Sequence, residues 1–323
     1  MSLPPSPPSL SQQDPPSVLV LGSLNMDVVV RVSRAPAGGE TIEGRSVAYL
    51  PGGKGGNQAV SCARQGASVH LIGQVGDDPH GVALCAALSQ DGIRHGDVCV
   101  DPVEATGVAV VVVDDQAQNR IVVVPGANGR LNPDPSMLAA RLQDAQWLVM
   151  QLEVPLAAVL MAAEQAKVNA CRVVLNPSPS QNLPDSLWAW VDTVVLNESE
   201  AQALTQMAVP SPLEAAMASQ WFLSHGVRQV VVTLGAQGAV ATDAHGSRFH
   251  PALAVDAVDT TAAGDTFLGA LVVSLARGDT LDEGVSMGLR AASLCVQTVG
   301  AQPSIPSRAA VLKTPLAPPW KSL

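Results

Sequence analysis

Residues 259–267 (DTTAAGDTF) place small residues and a carboxylate directly before an apolar helical segment. The free N–H groups of a helix N-terminus would converge near Ala262–Asp265, where the helix dipole also favours an anion such as a transferring phosphoryl group. Asp265, in this first turn, could accept a proton from an attacking hydroxyl. Taken by itself, the stretch is equally compatible with a carboxylate that only caps the helix.

A second stretch, residues 51–58 (PGGKGGNQ), holds four glycines in five positions and precedes an amphipathic helix that we predict over 57–65. Such glycines allow the backbone to approach a small polar ligand closely. Asn57 can both donate and accept hydrogen bonds, which suits the paired hydroxyls of a sugar. The stretch is not a Walker A loop, because its lysine is followed by glycine. A tight turn between a strand and a helix is the alternative.

Three further polar stretches each follow a predicted strand. Asn25 and Asp27 lie two residues apart, so an extended chain would point both side chains the same way, as a clamp for a polyol. Asn197 and Glu200 lie three apart at a helix start, where a carboxylate could hold Mg²⁺ through water or simply cap the helix. Residues 233–238 (TLGAQG) end a strand with two glycines that could accommodate phosphates, which is weak evidence singly.

The elements that must position these stretches are short aliphatic strands alternating with helical segments. Hydrophobic residues make up 47% of the 323 residues and aromatic residues only 3%, which suits parallel strands covered by helices on both faces. We therefore predict an α/β fold, with a central, mostly parallel sheet flanked by helices in a three-layer sandwich. Ligands in such sheets bind beyond the carboxyl ends of the strands.

Two segments, at about 28–50 and 106–126, interrupt this alternation with β-rich sequence that has no helical pattern. We predict that they form a small sheet that acts as a lid over a cleft and whose outer face can pair with another copy. The main domain is predicted over 18–313. A disordered Pro/Ser-rich tail is predicted over 1–17 and a C-terminal tail over 314–323.

Composition and charge argue against several classes of function. The net charge of −10 argues against nucleic acid as a partner, because its phosphates require a clustered basic surface. Five scattered cysteines without a CxxC pair indicate buried thiols in a reducing compartment rather than disulfides or a metal site. No stretch reaches about 18 consecutive apolar residues, so no membrane span is expected. These features predict a soluble, cytoplasmic protein.

Taken together, the stretches resemble the ribokinase-like carbohydrate kinase family. GSLNMD, GGKGGNQA, QLE (151–153), NPSP (176–179), NESEA, TLGAQG, DTTAAGDTF and GAQPS (300–304) occur in the order found in that family, from about Val18 to Pro306. GGKGxN and DTxxAGD are characteristic of the family as a whole. The NxD after the first strand, GGKGxNQA and GAQPS resemble its ribose-phosphorylating members.

The resemblance implies an ATP-dependent kinase that phosphorylates D-ribose at its 5-hydroxyl. Asp265 would be the general base, with an anion hole formed by the N–H groups of Ala262, Ala263 and Gly264. The residues implied to hold the sugar are Asn25, Asp27, Gly53, Lys54, Gly55, Gly56, Asn57 and Glu153, besides Asp265. Those implied to contact ATP are Asn197, Thr233, Leu234, Gly235, Ala236, Gln237, Gly238 and Gly264, with Glu200 organising Mg²⁺ through water. Those implied around an activating K⁺ are Asp259, Thr261, Cys295, Thr298, Gly300 and Ser304, mostly through backbone oxygens.

The same resemblance implies a homodimer formed through the lid sheets. Three other functions are alternatives. A kinase of the same family that acts on fructose or adenosine would keep Asp265 and change the lid contacts. A catalytically dead relative used for sugar sensing is disfavoured because Asp265, Gly264, Glu200 and Lys54 are all present. A purely structural interaction protein would leave the polar glycine-rich stretches without a purpose.

Overall fold

A large sheet and a small sheet organise the molecule, a computed structural model that describes residues 14–116 and 119–323. The strands are β1 Ser17–Leu21, β2 Asn25–Val32, β3 Gly44–Gly52, β4 Ser68–Gly76, β5 Arg94–Asp101, β6 Gly107–Val113, β7 Asn119–Val124, β8 Trp147–Met150, β9 Arg172–Leu175, β10 Thr193–Asn197, β11 Gln229–Thr233, β12 Gly238–Asp243, β13 Gly246–Pro251 and β14 Lys321–Ser322. The helices are α1 Lys54–Arg64, α2 Pro79–Gln90, α3 Pro135–Gln143, α4 Leu156–Val168, α5 Glu198–Thr205, α6 Pro212–Ser224, α7 Ala263–Ala276, α8 Leu281–Cys295 and α9 Arg308–Lys313.

The large sheet has ten strands in the order β14-β13-β12-β11-β10-β9-β8-β1-β4-β5. The strands from β11 to β5 are parallel, whereas β12, β13 and β14 continue the sheet antiparallel. Helices that connect parallel strands must cross over a face of the sheet, so both faces become covered. The fold class predicted from the aliphatic strands is confirmed.

Two hydrophobic cores lie on opposite faces of this sheet, because successive side chains of a strand point to opposite sides. On β1, Leu19 and Leu21 join the core that includes α3, α4 and α6. Val18 and Val20 join the core that includes α1, α2, α7 and α8. The sheet between two helical layers gives the predicted three-layer sandwich.

The small sheet, called the lid here, has the order β3-β2-β6-β7. β2 pairs with β6 in parallel, and β3 and β7 are the antiparallel edges. The strands match the two segments predicted to form the lid, except that β2 begins three residues earlier at Asn25 and β3 ends two residues later at Gly52. Because β2 follows β1 after residues 22–24, the lid is attached where a central strand of the large sheet ends.

Several boundaries differ from the sequence-based predictions. The sequence pattern predicts no strand where the edge strand β5 lies, and it predicts a helix over 281–299, whereas α8 ends at Cys295. Ser17 already belongs to β1, whereas residues 1–13 of the predicted tail lie outside the described residues. The predicted turn at 114–119 falls partly on residues 117–118, which also lie outside them. Near the C-terminus, Lys321 and Ser322 pair with β13. None of the helices in the described ranges has the length and apolar character needed to cross a bilayer.

Candidate active site

Asp265 lies in the first turn of α7, with only 7% of its surface exposed. Ala262, the residue that caps the start of this helix, has a left-handed φ of 59°, which turns the chain sharply into the helix. The first N–H groups of a helix have no partner within it, so an anion placed here meets free donors and the positive end of the helix dipole. The N–H of Ala263 already donates to the carbonyl of Thr260 at 3.2 Å. The donors that face an anion are therefore expected to be chiefly the N–H groups of the residues next to Ala263 in this turn.

The predicted glycine turn at 52–56 is instead a strand end followed directly by a helix. Gly53 is the helix cap, with φ of +83°, and α1 begins at Lys54, three residues earlier than predicted. Gly55 and Gly56 are thus helical. A Cβ at Gly55 would lie 2.5 Å from the carbonyl carbon of Gly22 and from the nitrogen of Ser23. The glycine at this position allows the start of α1 to lie against the end of β1.

Glu153 joins the end of β8 to the start of α1. Its Oε2 accepts the hydroxyl of Ser23 at 2.5 Å and the backbone N–H of Lys54 at 3.1 Å. Ser23 in turn accepts the N–H of Gly55 at 3.3 Å. The carboxylate is therefore held in place beside the polar residues that follow β1.

A cavity of about 510 Å³, called the lid cavity here, lies between the lid and the large sheet. Its polar lining includes Asn25, Lys54, Asn128, Glu153 and Gln181, and Val123 of β7 contributes an apolar wall. Asn25 is buried, and its Oδ1 accepts the side-chain amide of Asn128 at 2.8 Å. Asn128 also bonds both the N–H and the carbonyl of Leu24. The amide orientation of Asn25 is thereby fixed by the backbone.

Asp27 lies on the inner face of the lid, where its carboxylate is packed over Gly52. Burial, followed by the negative charges of Glu153 and Asp265, raises the pKa of Asp27 to about 7. Three carboxylates thus face one region from β2, the end of β8 and the start of α7. A ligand that donates hydroxyl hydrogens would relieve their mutual repulsion.

Lys54 lies between the lid cavity and a second cavity of about 220 Å³, called the helix cavity here. The helix cavity is lined by Ala262–Asp265 of the α7 turn and by residues that follow β9, β10 and β11. Burial lowers the pKa of Lys54, but the nearby Asp265, Glu153 and Glu200 outweigh it, so the pKa is raised overall. A cation is therefore maintained at the junction of the two cavities.

The residues predicted to contact a nucleotide lie partly in the helix cavity. Asn197 and Glu200 line it and form a capping box at the start of α5, in which each side chain accepts the other's backbone N–H at 2.9 Å. Thr233 lines it at the end of β11. The remaining residues of that stretch form an exposed turn at Gly235–Gln237, with Leu234 buried beneath it and Gly238 starting β12.

The residues predicted around a monovalent cation meet in the loop before α7. Asp259 accepts the N–H and hydroxyl of Thr261 at 2.9 and 2.6 Å and the N–H of Gly300 at 2.9 Å. Burial alone would raise the pKa of Asp259, but these hydrogen bonds lower it overall. Cys295 lies behind the loop, with its Sγ 3.0 Å from the hydroxyl of Ser304. Thr298 is the exposed member of the set.

Several polar residues at the site were missed by the sequence analysis as functional residues. They are the buried side chains Ser23, Gln58, Asn128 and Gln151 and the half-buried Asn176. Asp265 accepts Asn57 Nδ2 at 3.0 Å on one oxygen and Gln58 Nε2 at 2.9 Å on the other. Four of the missed residues, all but Asn128, stand within motifs that carried the resemblance, namely GSLNMD, GGKGGNQA, QLE and NPSP, and this was the available signal.

Comparison with known proteins identifies the family of the chain. The sequence profile of the pfkB family carbohydrate kinases matches residues 15–308. The chain is 40% identical over 302 residues to a ribokinase of Haemophilus influenzae, which covers 92% of this chain and 97% of the relative. It is 41% identical over 305 residues to a ribokinase of Schizosaccharomyces pombe, covering 90% and 95%. The structure of Arabidopsis thaliana ribokinase complexed with ribose and ATP matches with a TM-score of 0.87 at 33% identity, over 93% of this chain and 98% of that one. This chain belongs to the pfkB family of carbohydrate kinases.

Proposed function

We propose that this protein is an ATP-dependent ribokinase that transfers a phosphoryl group to the 5-hydroxyl of D-ribose. The observation that carries the proposal is the position of Asp265, buried in the first turn of α7 at the helix cavity, with the cation of Lys54 bridging to the lid cavity. Phosphoryl transfer depends mainly on positioning and on neutralising charge, and both are available at this junction. Ribokinases of similar sequence support ribose as the sugar.

The sugar is assigned to the lid cavity. Asn25 and Glu153 line this cavity, and Asp27 lies near Glu153 on the inner face of the lid. Their amide and carboxylate groups suit neighbouring hydroxyls. Asp265 accepts the proton of the attacking hydroxyl as the bond from that oxygen to the γ-phosphorus of ATP forms and the bond from phosphorus to the bridging oxygen breaks, releasing ADP. The N–H groups at the start of α7 face the charge of the transferring group. Lys54 adds a cation where the two cavities meet.

The nucleotide is assigned to the helix cavity and the exposed surface beyond Thr233, with Asn197 and the glycines Gly235 and Gly238 beside it. Glu200 fits a magnesium ion held through water: one carboxylate oxygen is used in the capping box, while the residue lines the cavity and raises the pKa of Lys54 across it. Bound Mg²⁺ supplies charge neutralisation on the phosphates.

A monovalent cation such as K⁺ fits the loop at Asp259–Thr261. The loop offers an anionic carboxylate and backbone carbonyl oxygens, the hard ligands that such ions prefer. Among the described residues, the carbonyl of Thr261 receives only the thiol of Cys295, at 3.6 Å. The ion would order the loop that leads into α7. The cytoplasm is proposed as the location, in keeping with ATP as co-substrate and with five free cysteines.

The test is an assay of ADP release with D-ribose, 2-deoxyribose, fructose and adenosine, with and without K⁺. We expect ribose-dependent turnover that K⁺ increases. Asp265→Asn keeps the size of the side chain but removes the base, so kcat should fall by on the order of 10³-fold. A preference for another acceptor would replace ribose while retaining the kinase. Ribose binding without turnover on any acceptor would overturn the proposal in favour of sugar sensing.

A further inference from the structure

Gln58 lies on α1 with no exposed surface, between the catalytic turn of α7 and the ends of β8 and β9. α1 packs closely on α7: the hydroxyl of Ser61 donates to the carbonyl of Thr266 at 3.0 Å, and Gly269 leaves room for Ser61. This contact between the helices places Gln58 Nε2 2.9 Å from Oδ1 of Asp265. A fully buried amide at this distance from the base of the proposed reaction needs a role.

The orientation of the Gln58 amide follows from its neighbours. The carbonyl of Val195 in β10 can only accept, and it accepts Nδ2 of Asn176 at 2.9 Å, so Oδ1 of Asn176 faces Gln58. Gln58 Nε2 must then donate to that oxygen, at 3.2 Å, as well as to Asp265. Both of its N–H hydrogens are thereby used.

The other end of the Gln58 amide has a partner as well, since its Oε1 accepts Nε2 of Gln151 at 2.6 Å. Turning the amide over would set Oε1 against the two acceptors, and the bonds to Asn176 and Asp265 would both be lost. A buried amide that faces two fixed acceptors is held with its Nε2 toward them. The backbone of β10 thus fixes the amide that meets the carboxylate of Asp265.

The second amide on Asp265 differs in this respect. Asn57 donates Nδ2 to Oδ2 of Asp265 at 3.0 Å, but its Oδ1 is buried and has no hydrogen-bond partner among the described residues. An unmet acceptor of this kind is satisfied when a ligand hydroxyl arrives. Asn57 therefore has capacity left for substrate, whereas Gln58 already uses both amide hydrogens and its oxygen in hydrogen bonds to neighbouring side chains.

We propose that Gln58 is the positioning residue of the catalytic base, fixing the carboxylate of Asp265 through the chain Val195–Asn176–Gln58. This inference rests on the proposed kinase function. Because Gln58 lies behind the carboxylate and does not line either cavity, it acts on the rate of transfer and not on the binding of sugar or nucleotide. Each carboxylate oxygen retains a lone pair for the proton of the attacking hydroxyl.

The test compares Gln58→Leu with Gln65→Leu. Gln65 is the matched control: it caps the end of the same helix, is equally buried, and donates to the carbonyl of Pro306 far from Asp265. On the acceptor that the parent phosphorylates, we expect Gln58→Leu to lower kcat by about 10- to 100-fold, with the KM for sugar and ATP changed by less than about threefold. Gln65→Leu should leave both near the parent. Equal kcat values in the two variants, or a loss confined to KM, would overturn the proposal.

Two further measurements test the role of Gln58 if Gln58→Leu folds poorly or the parent shows no turnover. Gln58→Glu sets a second carboxylate against Asp265, and like charges this close resist ionising together, so the acid limb of the pH profile of kcat should move to higher pH. An unmoved limb would count against the proposal. A crystal structure of Gln58→Leu or Gln58→Met reads the position directly and needs no activity: the carboxylate of Asp265 should leave its position, and an unchanged side chain would overturn the assignment. Absence of turnover in the parent would overturn the kinase function separately.

Discussion

At the residue scale, the buried carboxylate of Asp27 makes the stability of the fold depend on pH. Its pKa of about 7 in the folded protein lies above the unfolded value of 3.8, so the folded protein holds the proton more tightly. Stability associated with Asp27 is therefore fully present below about pH 4 and is lost as the pH rises through about 7. The pKa of Asp27 is raised because its carboxylate is buried and lies near two other carboxylates, Glu153 and Asp265.

The variant Asp27→Asn removes this ionisation. Without ligand, the free energy of unfolding of the variant minus that of the parent should increase by about 2 kcal/mol as the pH rises from about 5.5 to about 8.5. Sugar affinity should fall at the same time, because an amide oxygen accepts hydroxyl hydrogens less strongly than a carboxylate. Urea unfolding at the two pH values and calorimetric titration with ribose measure both effects. A difference in unfolding free energy that does not change with pH would contradict the buried ionisation of Asp27.

At the element scale, the start of α1 depends on the absence of a side chain at Gly55. Gly55→Ala would push a Cβ into the backbone of Gly22 and Ser23, and backbone cannot move aside cheaply. We expect a loss of about 1–3 kcal/mol in the free energy of unfolding. Gly264 is the matched control, since it holds the same second position of α7 and a Cβ there meets no described atom within 4 Å. Gly264→Ala should be neutral or stabilise by about 0.5 kcal/mol. Similar thermal unfolding of the two variants would refute the close approach.

The elements also show what the sequence could and could not predict. The aliphatic runs of β1, β8, β9, β10 and β11 were recognisable because parallel central strands are buried on both faces. β5 escaped because it is an edge strand of mixed residues, several of them exposed. The start of α1 was misplaced because glycines signal a turn locally, and only the approach to β1 explains them in a helix. α8 was predicted too long because its end is set at a distance, where Val296 accepts the N–H groups of Val258 and Asp259.

The site residues were predictable from the sequence where they are charged side chains in a recognisable local pattern. Asp265, Lys54 and Glu200 stood out as charges beside glycines or helix starts, and the structure places all three at the helix cavity. The buried amides did not stand out. Gln58 meets Asp265 across 207 residues of sequence, and Asn128 meets Asn25 across 103. No local pattern distinguishes such an amide from a surface glutamine or asparagine, so positioning residues emerge only when the fold brings their partners together.

At the scale of the whole molecule, the outer face of the lid is rich in exposed valine. The register places Val47 and Tyr49 of β3, with Val122 and Val124 of β7, on the same face, and these four side chains are 54–63% exposed. The opposite face, with Asp27 and Val111, is turned toward the cleft. A broad exposed apolar surface marks an interaction site in most proteins. We propose that a second copy of the chain covers it, as the resemblance to the family implies.

The homodimer can be tested by placing a charge in this face. Val122→Glu, at a position that is 63% exposed in the single chain, should leave the monomer folded but split the dimer, because an unpaired carboxylate would be buried at the interface. Val168→Glu is the matched control, an 82% exposed valine at the end of α4, away from the lid. Sedimentation equilibrium should give a dimer for the parent and Val168→Glu, and a monomer for Val122→Glu. A parent that stays monomeric at every concentration would remove the dimer. A dimer that survives Val122→Glu would place the interface elsewhere.

Because Val123 of the same strand lines the lid cavity, loss of the dimer should also raise the KM for the sugar more than it lowers kcat.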